Sequence, residues 1–459
     1  MKRLLVSIPM GMSVRNIIQT DVFPALMKNF NLVIMSHLTP QQIGISDNDS
    51  NSLPDHIIWL KYPALNVIQK LLMREYRKID YFYFWLKIKP ATVKKYIDKL
   101  KQESLGQYVL QYVLAEVWNL VMKSGLGKKI ISCLYRSKTY KNILEEYKID
   151  AVFVPSFDVR EDMILMNVAK NLDIPVICFV HSWDNLPSRG SLLVEPDILL
   201  VWNNIMMQQA QSLHNIPKEK IRVVGIPQYD TYRYKTPLSS RKEFMQNKNI
   251  EKYEKVITYT CSAERVFSDE DVFLSHLIKL TQQKAFGNAV LIIRLHPTER
   301  IEQYMKQFQG LKAVIIDVPD SLFAATYTHT SHISQSGIEN FVNIMKHSDV
   351  VINLASTVTI DAAVFDTPVV NIAYNINLPS NAWNSAEKWY DSTHYGNIVK
   401  TGGVRIAHSE EELIRYVQDY LQDPSRDKEG RQRLVKEQCY KIDGKASDRI
   451  ISVIQEVVD

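Results

Sequence analysis

Short runs rich in valine and isoleucine alternate with segments of helical spacing along most of this chain, and that rhythm leaves few folds open to it. RLLVSIP (3–9), FNLVIMS (30–36), AVFVPS (151–156), IPVICFVHS (174–182), ILLVWN (198–203) and IRVVGIP (221–227) are each apolar on both faces. A strand covered on both sides of a parallel sheet has this pattern. Between them, EDMILMNVAKNL (161–172) and NIMMQQAQSLHN (204–215) repeat apolar residues at helical spacing. The rhythm stops in the charged segment DTYRYKTPLSSRKEFMQNKNIEKYE (230–254) and resumes with KVITYTCS (255–262), AVLIIRLHP (289–297), LKAVIIDV (311–318), SDVVINLAS (348–356) and TPVVNIAY (367–374). The chain has 459 residues, more than one ordinary core organises. Two α/β domains joined near residues 230–250 are therefore expected, each a parallel sheet wrapped by helices.

Residues 57–145 break the alternation. This stretch is helix-like and dense in Tyr, Phe, Trp, Lys and Arg, so a helical insertion in the N-terminal domain is expected. Its aromatic and basic residues suit an anionic membrane surface or a lipid-linked substrate. They equally suit aromatics packed on the domain with a solvated lysine face. Elsewhere no apolar run reaches the ~18 residues of a membrane span, and MKRLLVSIPMGM lacks a secretory apolar region and cleavage site. The four cysteines are widely spaced, without CxxC, so neither a disulfide framework nor a zinc site is expected. A cytoplasmic location fits, at the inner face of the plasma membrane if the insertion binds lipid. The net charge of +5 suits an anionic ligand but does not point to nucleic acid.

The polar residues at strand ends carry the chemistry. In NLASTVTIDAAVFDTPVV (353–370), Ala355, Ser356 and Thr357 lie where a strand gives way to a helix, the place where open α/β sheets bind ligands. Backbone N–H groups and hydroxyls there suit a phosphate, and Asp361, one turn on, suits the two hydroxyls of a ribose. The same residues also suit plain helix capping. AVLIIRLHP places Arg294 and His296 at a second strand end, and YTCSAER (259–265) places Ser262 and Arg265 at a third. Three polar ends in one domain point to one ligand site.

In the N-terminal half, CFVHSWDNLPSRG (178–190) ends an apolar strand at His181, with Asp184 close behind. Either side chain suits removal of a proton from an acceptor hydroxyl; a turn shaped by Asp184 with His181 bonded to backbone is the structural alternative. The first loop, GMSVRN (11–16), is not GxGxxG and so is no dinucleotide fingerprint; Arg15 and Asn16 suit a ligand-facing position and equally an ordinary strand-to-helix turn. Asp47 and Asp49 spell an Asp-x-Asp metal string, but in an all-polar run without a leading strand they read as a solvated loop. No metal is expected.

RLHP (294–297), SDVVINLASTVTIDAAVFDTPVV (348–370) and DGKASDRI (443–450) together resemble the nucleotide-binding half of glycosyltransferases with the GT-B fold. Within that group the chain is similar to bacterial surface-polysaccharide enzymes and teichoic-acid glycerophosphotransferases. The resemblance implies two Rossmann-like domains facing a central cleft. Residues 1–235 form the acceptor domain, with the insertion at about 57–145, and 250–440 form the nucleotide-donor domain. The C-terminal helix at 441–459 returns to the first domain. It further implies that Ser356 and Thr357 hold the donor diphosphate, that His296 lies near the phosphates, and that Asp361 takes the ribose position. His181 and His296 would be a histidine from each domain, as in the glycerophosphotransferases. Asn353 and Asp361 fall where retaining members carry paired glutamates, and the first lacks a carboxylate. The expected activity is transfer of a sugar from a nucleotide-sugar co-substrate to a glycan or lipid-linked acceptor, with no separate cofactor. Positive charge from Arg294 and Arg265 would meet the leaving group without a metal. Transfer of a polyol phosphate from a CDP donor is the nearest alternative; UDP-sugar 2-epimerisation and non-catalytic nucleotide binding are more distant ones.

Overall fold

Each of the Val/Ile runs forms a strand, and every strand pair among the described residues is parallel. The structure, a computed structural model, describes residues 1–45, 53–262, 266–296, 301–320 and 334–459. It divides into one unit of Met1–Thr231 with Tyr440–Asp459 and a second of Tyr232–Cys439.

The first unit is built on β1 (Arg3–Ile8), β2 (Asn31–Ser36), β3 (Ile57–Lys61), β4 (Ala151–Val154), β5 (Val176–Phe179), β6 (Ile198–Val201) and β7 (Ile221–Val223), in the order β3-β2-β1-β4-β5-β6-β7. Strand order reverses between β1 and β4. In register, Val6 lies beside Ile34 on one side and Phe153 on the other, and all three are buried. Helices on both faces explain the uninterrupted apolar runs.

The insertion starts later than its composition suggests. Ile57–Lys61 pairs with β2 as an edge strand, because a five-residue apolar run carries too few repeats for periodicity to separate strand from helix. The helices are α1 (Val67–Ile88), α2 (Ala91–Glu103), α3 (Leu105–Lys123) and α4 (Leu126–Leu134). Asn66 caps α1 by accepting the Ile68 N–H, and Ser104 caps α3. Ring contacts of Tyr76 with Trp118 (5.1 Å) and Phe82 with Tyr108 (5.7 Å) show α1 and α3 running antiparallel. The insertion is pinned to the loop between β5 and β6 by the buried Asp80, whose Oδ2 accepts the Ser191 N–H at 3.0 Å. Gly190 beside it has φ +77°, and a Cβ there would fall 2.5 Å from that carboxylate oxygen. Conformation and space both require glycine at this position.

DGKASDRI (443–450) is explained by the way the chain re-enters this unit. Asp230 accepts the N–H groups of Gly444 and Ala446, each at 2.9 Å, and the Arg449 guanidinium donates to the Val224 carbonyl at 2.8 Å. The final helix, Ala446–Val458, then packs on the helix Val22–Asn29.

The second unit contains β8 (Lys255–Thr260), β9 (Ala289–Arg294), β10 (Val314–Asp317), β11 (Val350–Asn353), β12 (Val369–Ile372) and β13 (Arg405–Ala407), in the order β10-β9-β8-β11-β12-β13. Its order reverses between β8 and β11. The charged segment at 230–254 is no loose linker: it forms the end of the helix Pro227–Tyr234 and the helix Arg241–Asn247, the latter closed by a capping box between Ser240 and Glu243.

Candidate active site

In an open parallel sheet the carboxyl ends of the strands beside the reversal of order are where a ligand meets backbone and side chains together. In the second unit those strands are β8 and β11, with β9 alongside. Neighbouring strands lie ~4.8 Å apart. Ser262, Arg294 with His296, and Ala355 to Thr357 therefore gather along one sheet edge. Arg265, Asp47 and Asp49 lie outside the described residues.

Each strand end is fixed differently. Beyond β8, the Ser262 N–H and hydroxyl donate to Glu270 at 2.8 and 3.1 Å, and Tyr259 donates to the same carboxylate at 2.8 Å. At the end of β9, the Arg294 guanidinium pairs with Asp317 on β10 and lies 5.5 Å from the Phe341 ring. Asp317 also accepts from Lys248 at 3.2 Å and Asn340 at 2.9 Å. Burial acts to raise the Asp317 pKa, but Arg294 and Lys248 outweigh it and hold the carboxyl below its ordinary value. Arg294 is thus engaged with a buried carboxylate at its own strand end, while His296, two residues on, is half-buried at the sheet edge.

The turn after β11 rests on a buried polar network. Asn353 and Asn371 are fully enclosed and share a 2.5 Å hydrogen bond. Tyr395 donates to Asn371 at 2.8 Å, and the Thr359 hydroxyl lies 3.2 Å from Asn353 Oδ1. Tyr390 donates to the Ile372 carbonyl and receives the Ala355 N–H at 3.4 Å. Ala355 itself has φ +24°, a conformation a side chain adopts only under constraint. Ser356 Oγ accepts the Val358 N–H at 3.3 Å, whereas Thr357, in the cap position of the helix Val358–Ala363, makes no side-chain cap bond. Asp361 is 3% exposed and enclosed behind the turn.

In the first unit the reversal lies between β1 and β4, and β5 ends beside them. His181 follows β5 and is 4% exposed. Its Nδ1 is 3.1 Å from the Pro155 carbonyl, an acceptor, so that nitrogen carries the proton. Nε2 then holds the lone pair, 3.1 Å from the Asn185 amide. Asn16 from the first loop donates to the His181 carbonyl at 3.0 Å. Burial pushes the His181 pKa down, against the pull of Asp158. Asp158 accepts from Ser156 at 2.6 Å, and Arg189 lies 3.7 Å away. Burial opposes its ionisation, yet Arg189 and His181 keep its pKa low. Asp184 is half-buried and takes the Ser182 hydroxyl.

Sequence reasoning passed over Asp158, though it sits two residues beyond the strand-like AVFVPS, where the strand-end rule applies. It also passed over Asp317 and the two tyrosines, whose partners are distant in sequence.

One buried carboxyl in this unit is a brace. The Ser7 hydroxyl donates to Asp162, and Tyr62 lies 2.5 Å from Ser7 Oγ. Burial raises the Asp162 pKa well above its ordinary value. A raised folded pKa means that stability present below the unfolded value is lost as pH rises toward the folded one. Asp162→Asn removes that loss and should add about 2 kcal/mol at pH 8 relative to the parent. Unfolding melts of both proteins across pH check this, the gap narrowing toward pH 4.

Two units of parallel sheet wound by helices, each with polar side chains gathered at the carboxyl edge, make this a GT-B fold. The chain is similar to the S. aureus MnaA–UDP co-structure at TM-score 0.55 and 11% identity, over 99% of this chain and 96% of that one. It is similar to the UDP-GlcNAc 2-epimerase of Neisseria meningitidis bound to UDP-GlcNAc (0.53, 14%, 99% and 100%) and to a glycosyltransferase from Rickettsia africae ESF-5 (0.51, 10%, 100% and 99%). At these identities the likeness is one of fold. Residues 189–456, more than half of the chain, match the family described as CDP-Glycerol:Poly(glycerophosphate) glycerophosphotransferase. The chain belongs to that family, and so to the transferases. The match takes in the whole second unit and begins shortly after His181. No curated protein matches the chain significantly.

Proposed function

We propose that this protein transfers a polyol phosphate, of the glycerol phosphate kind, from a CDP-linked donor to a hydroxyl of an acceptor chain. The family match over 189–456 is the observation that supports this reading most, since it includes every strand end of the second unit. In the proposed reaction the acceptor oxygen attacks the phosphorus that bears the polyol. A new P–O bond forms, the anhydride bond breaks, and CMP leaves with the electron pair. His181 takes the acceptor proton at Nε2 once the Asn185 amide has moved off that lone pair, with Asp158 stabilising the imidazolium that forms. Asp184 is the reserve candidate for the proton. Ser262, His296, Ala355, Ser356 and Thr357 bind the donor diphosphate. Arg294 and Asp361, both buried at the same edge, complete the donor site. The donor is a co-substrate, and the acceptor is a glycan or lipid-linked chain of surface-polymer assembly.

Transfer of a sugar from a nucleotide-sugar is the second reading, favoured by the fold shared with the Rickettsia glycosyltransferase. The products separate the two. Incubation with CDP-glycerol and a glycerophosphate primer should release CMP in an acceptor-dependent way. Release of a nucleoside diphosphate from a nucleotide-sugar, with no CMP from CDP-glycerol, would replace the first reading by the second. Interconversion of free UDP-sugars without acceptor would replace both by epimerisation.

A further inference from the structure

Three arginines gather where the helical insertion meets the sheet edge that carries His181. Arg77 stands on α1, Arg160 opens the helix Arg160–Lys170 after β4, and Arg189 lies in the connection between β5 and β6. The Arg77 guanidinium donates to the Arg189 carbonyl at 2.6 Å and reaches Asp80 at 3.4 Å. Arg189 meets Asp158 only as an ion pair at 3.7 Å, too long for a hydrogen bond. Arg160 gives one nitrogen to Glu161 at 3.0 Å, and its Nε is buried without a partner among the described residues. A guanidinium has five donors, so a single acid beside each leaves most of them unused. The three side chains are 18%, 41% and 47% exposed, which lets a ligand reach them from solvent.

Behind the arginines stand two tyrosines. Tyr135, just past α4, and Tyr140, on the helix Lys138–Glu146, are each 1% exposed, and neither hydroxyl has a hydrogen-bond partner among the described residues. Tyr135 lies within electrostatic reach of Arg77 and Arg160, and Tyr140 within reach of Arg160. Buried polar groups are paired in the great majority of cases. Phenolic O–H groups beside unused guanidinium donors suit an anion rich in acceptor oxygens, and the planar arginine fork fits phosphate in particular.

Position indicates which phosphate. Arg189 and Asp158 both act on the His181 ring, so the arginines border the proposed base. At a glycerol phosphate terminus only three carbons separate the free hydroxyl from the phosphate ester. A hydroxyl presented to His181 therefore brings its own phosphate toward these side chains.

We propose that Arg77, Arg160 and Arg189, backed by the Tyr135 and Tyr140 hydroxyls, hold the phosphodiester next to the acceptor's attacking hydroxyl. The insertion then takes part in selecting an anionic acceptor over a neutral one. The choice of a phosphodiester rests on the polyol phosphate reading, whereas the anion contact does not.

Calorimetric titration of the full chain with a synthetic glycerophosphate trimer tests the subsite without turnover. The parent should bind the trimer saturably, with inorganic phosphate competing and free glycerol failing to compete. Arg160→Gln should weaken trimer binding by about tenfold and Tyr135→Phe by about threefold. In turnover the same variants should raise the KM for the trimer by those factors, with kcat and the KM for CDP-glycerol little changed. Arg160→Lys should recover part of the loss. Tyr135→Phe keeps the packed ring and removes a hydroxyl without a partner, so it should melt no lower than the parent. Weaker binding by a protein of undiminished stability separates a ligand contact from a structural role. Trimer binding without CMP release from CDP-glycerol would end the polyol phosphate reading and leave the anion subsite in place. Failure of the parent to bind the trimer, or variants that bind it like the parent, would overturn the subsite.

Discussion

Replacing His181 with alanine should lower kcat for acceptor-dependent CMP release by about 10²- to 10⁴-fold, with the KM for the CDP donor changed little. The split follows from the placement of the side chain. His181 belongs to the first unit, whereas the groups proposed to hold the nucleotide belong to the second, so its loss removes a proton acceptor without removing a donor contact. The ring has Nδ1–H on the Pro155 carbonyl and its Nε2 lone pair on the Asn185 amide, which must move off for a proton to be taken there. Burial lowers its pKa, so the neutral form persists below the ordinary histidine range. Protonation abolishes the base, so activity should fall as pH drops through that lowered pKa, at a pH below the usual histidine value. Asn185→Ala should depress kcat less and move the acid limb of the profile, because the amide touches the base but not the proton. If His181 only ties backbone together, His181→Ala will melt earlier yet turn over normally while folded.

The second large effect is on stability. Asp317→Ala should destabilise the second unit by about 3–5 kcal/mol, because it leaves the buried Arg294 guanidinium without its counter-charge. Lys248 and Asn340 lose the same acceptor. A melting temperature lower by about 10 °C is the expected reading for a unit of this size. Replacing both partners, Arg294→Met with Asp317→Leu, should recover most of the loss, since an apolar pair leaves no stranded charge. The carboxyl pKa is depressed in the fold, so its stabilisation is present above the unfolded value near 3.8 and disappears as pH falls through the lower folded one. The alanine variant should therefore lose less stability than the parent on acidification. Equal melting of the parent and Asp317→Ala at neutral pH would show that the pair contributes nothing.

The parallel sheets were legible in the sequence because a strand buried on both faces is apolar throughout, and a run such as AVLII has no other comfortable place. β3 and β13 were missed. Both are edge strands of five and three residues with half-exposed side chains, and edge strands carry little pattern. That the hydroxyls and histidines stand at strand ends was legible because each apolar run marks where its strand stops. What holds them was not. Tyr390 and Tyr395 meet the β11 turn from a segment some 35 residues downstream, and Asp317 meets Arg294 through strand register. Periodicity contains no term for either.

The first unit is discontinuous in sequence, since Tyr440–Asp459 completes it after Tyr232–Cys439 has formed the second. During synthesis the seven-stranded sheet therefore emerges without its closing helix. The Asp230 carboxylate waits for Gly444 and Ala446 while some two hundred intervening residues are translated. At typical elongation rates that is an interval of about 10 to 40 s, long compared with the folding of most single domains. The second unit is thus expected to mature first. The first unit acquires its finished stability last, so a nascent chain interrupted before residue 440 would present a folded second unit and an unfinished first one.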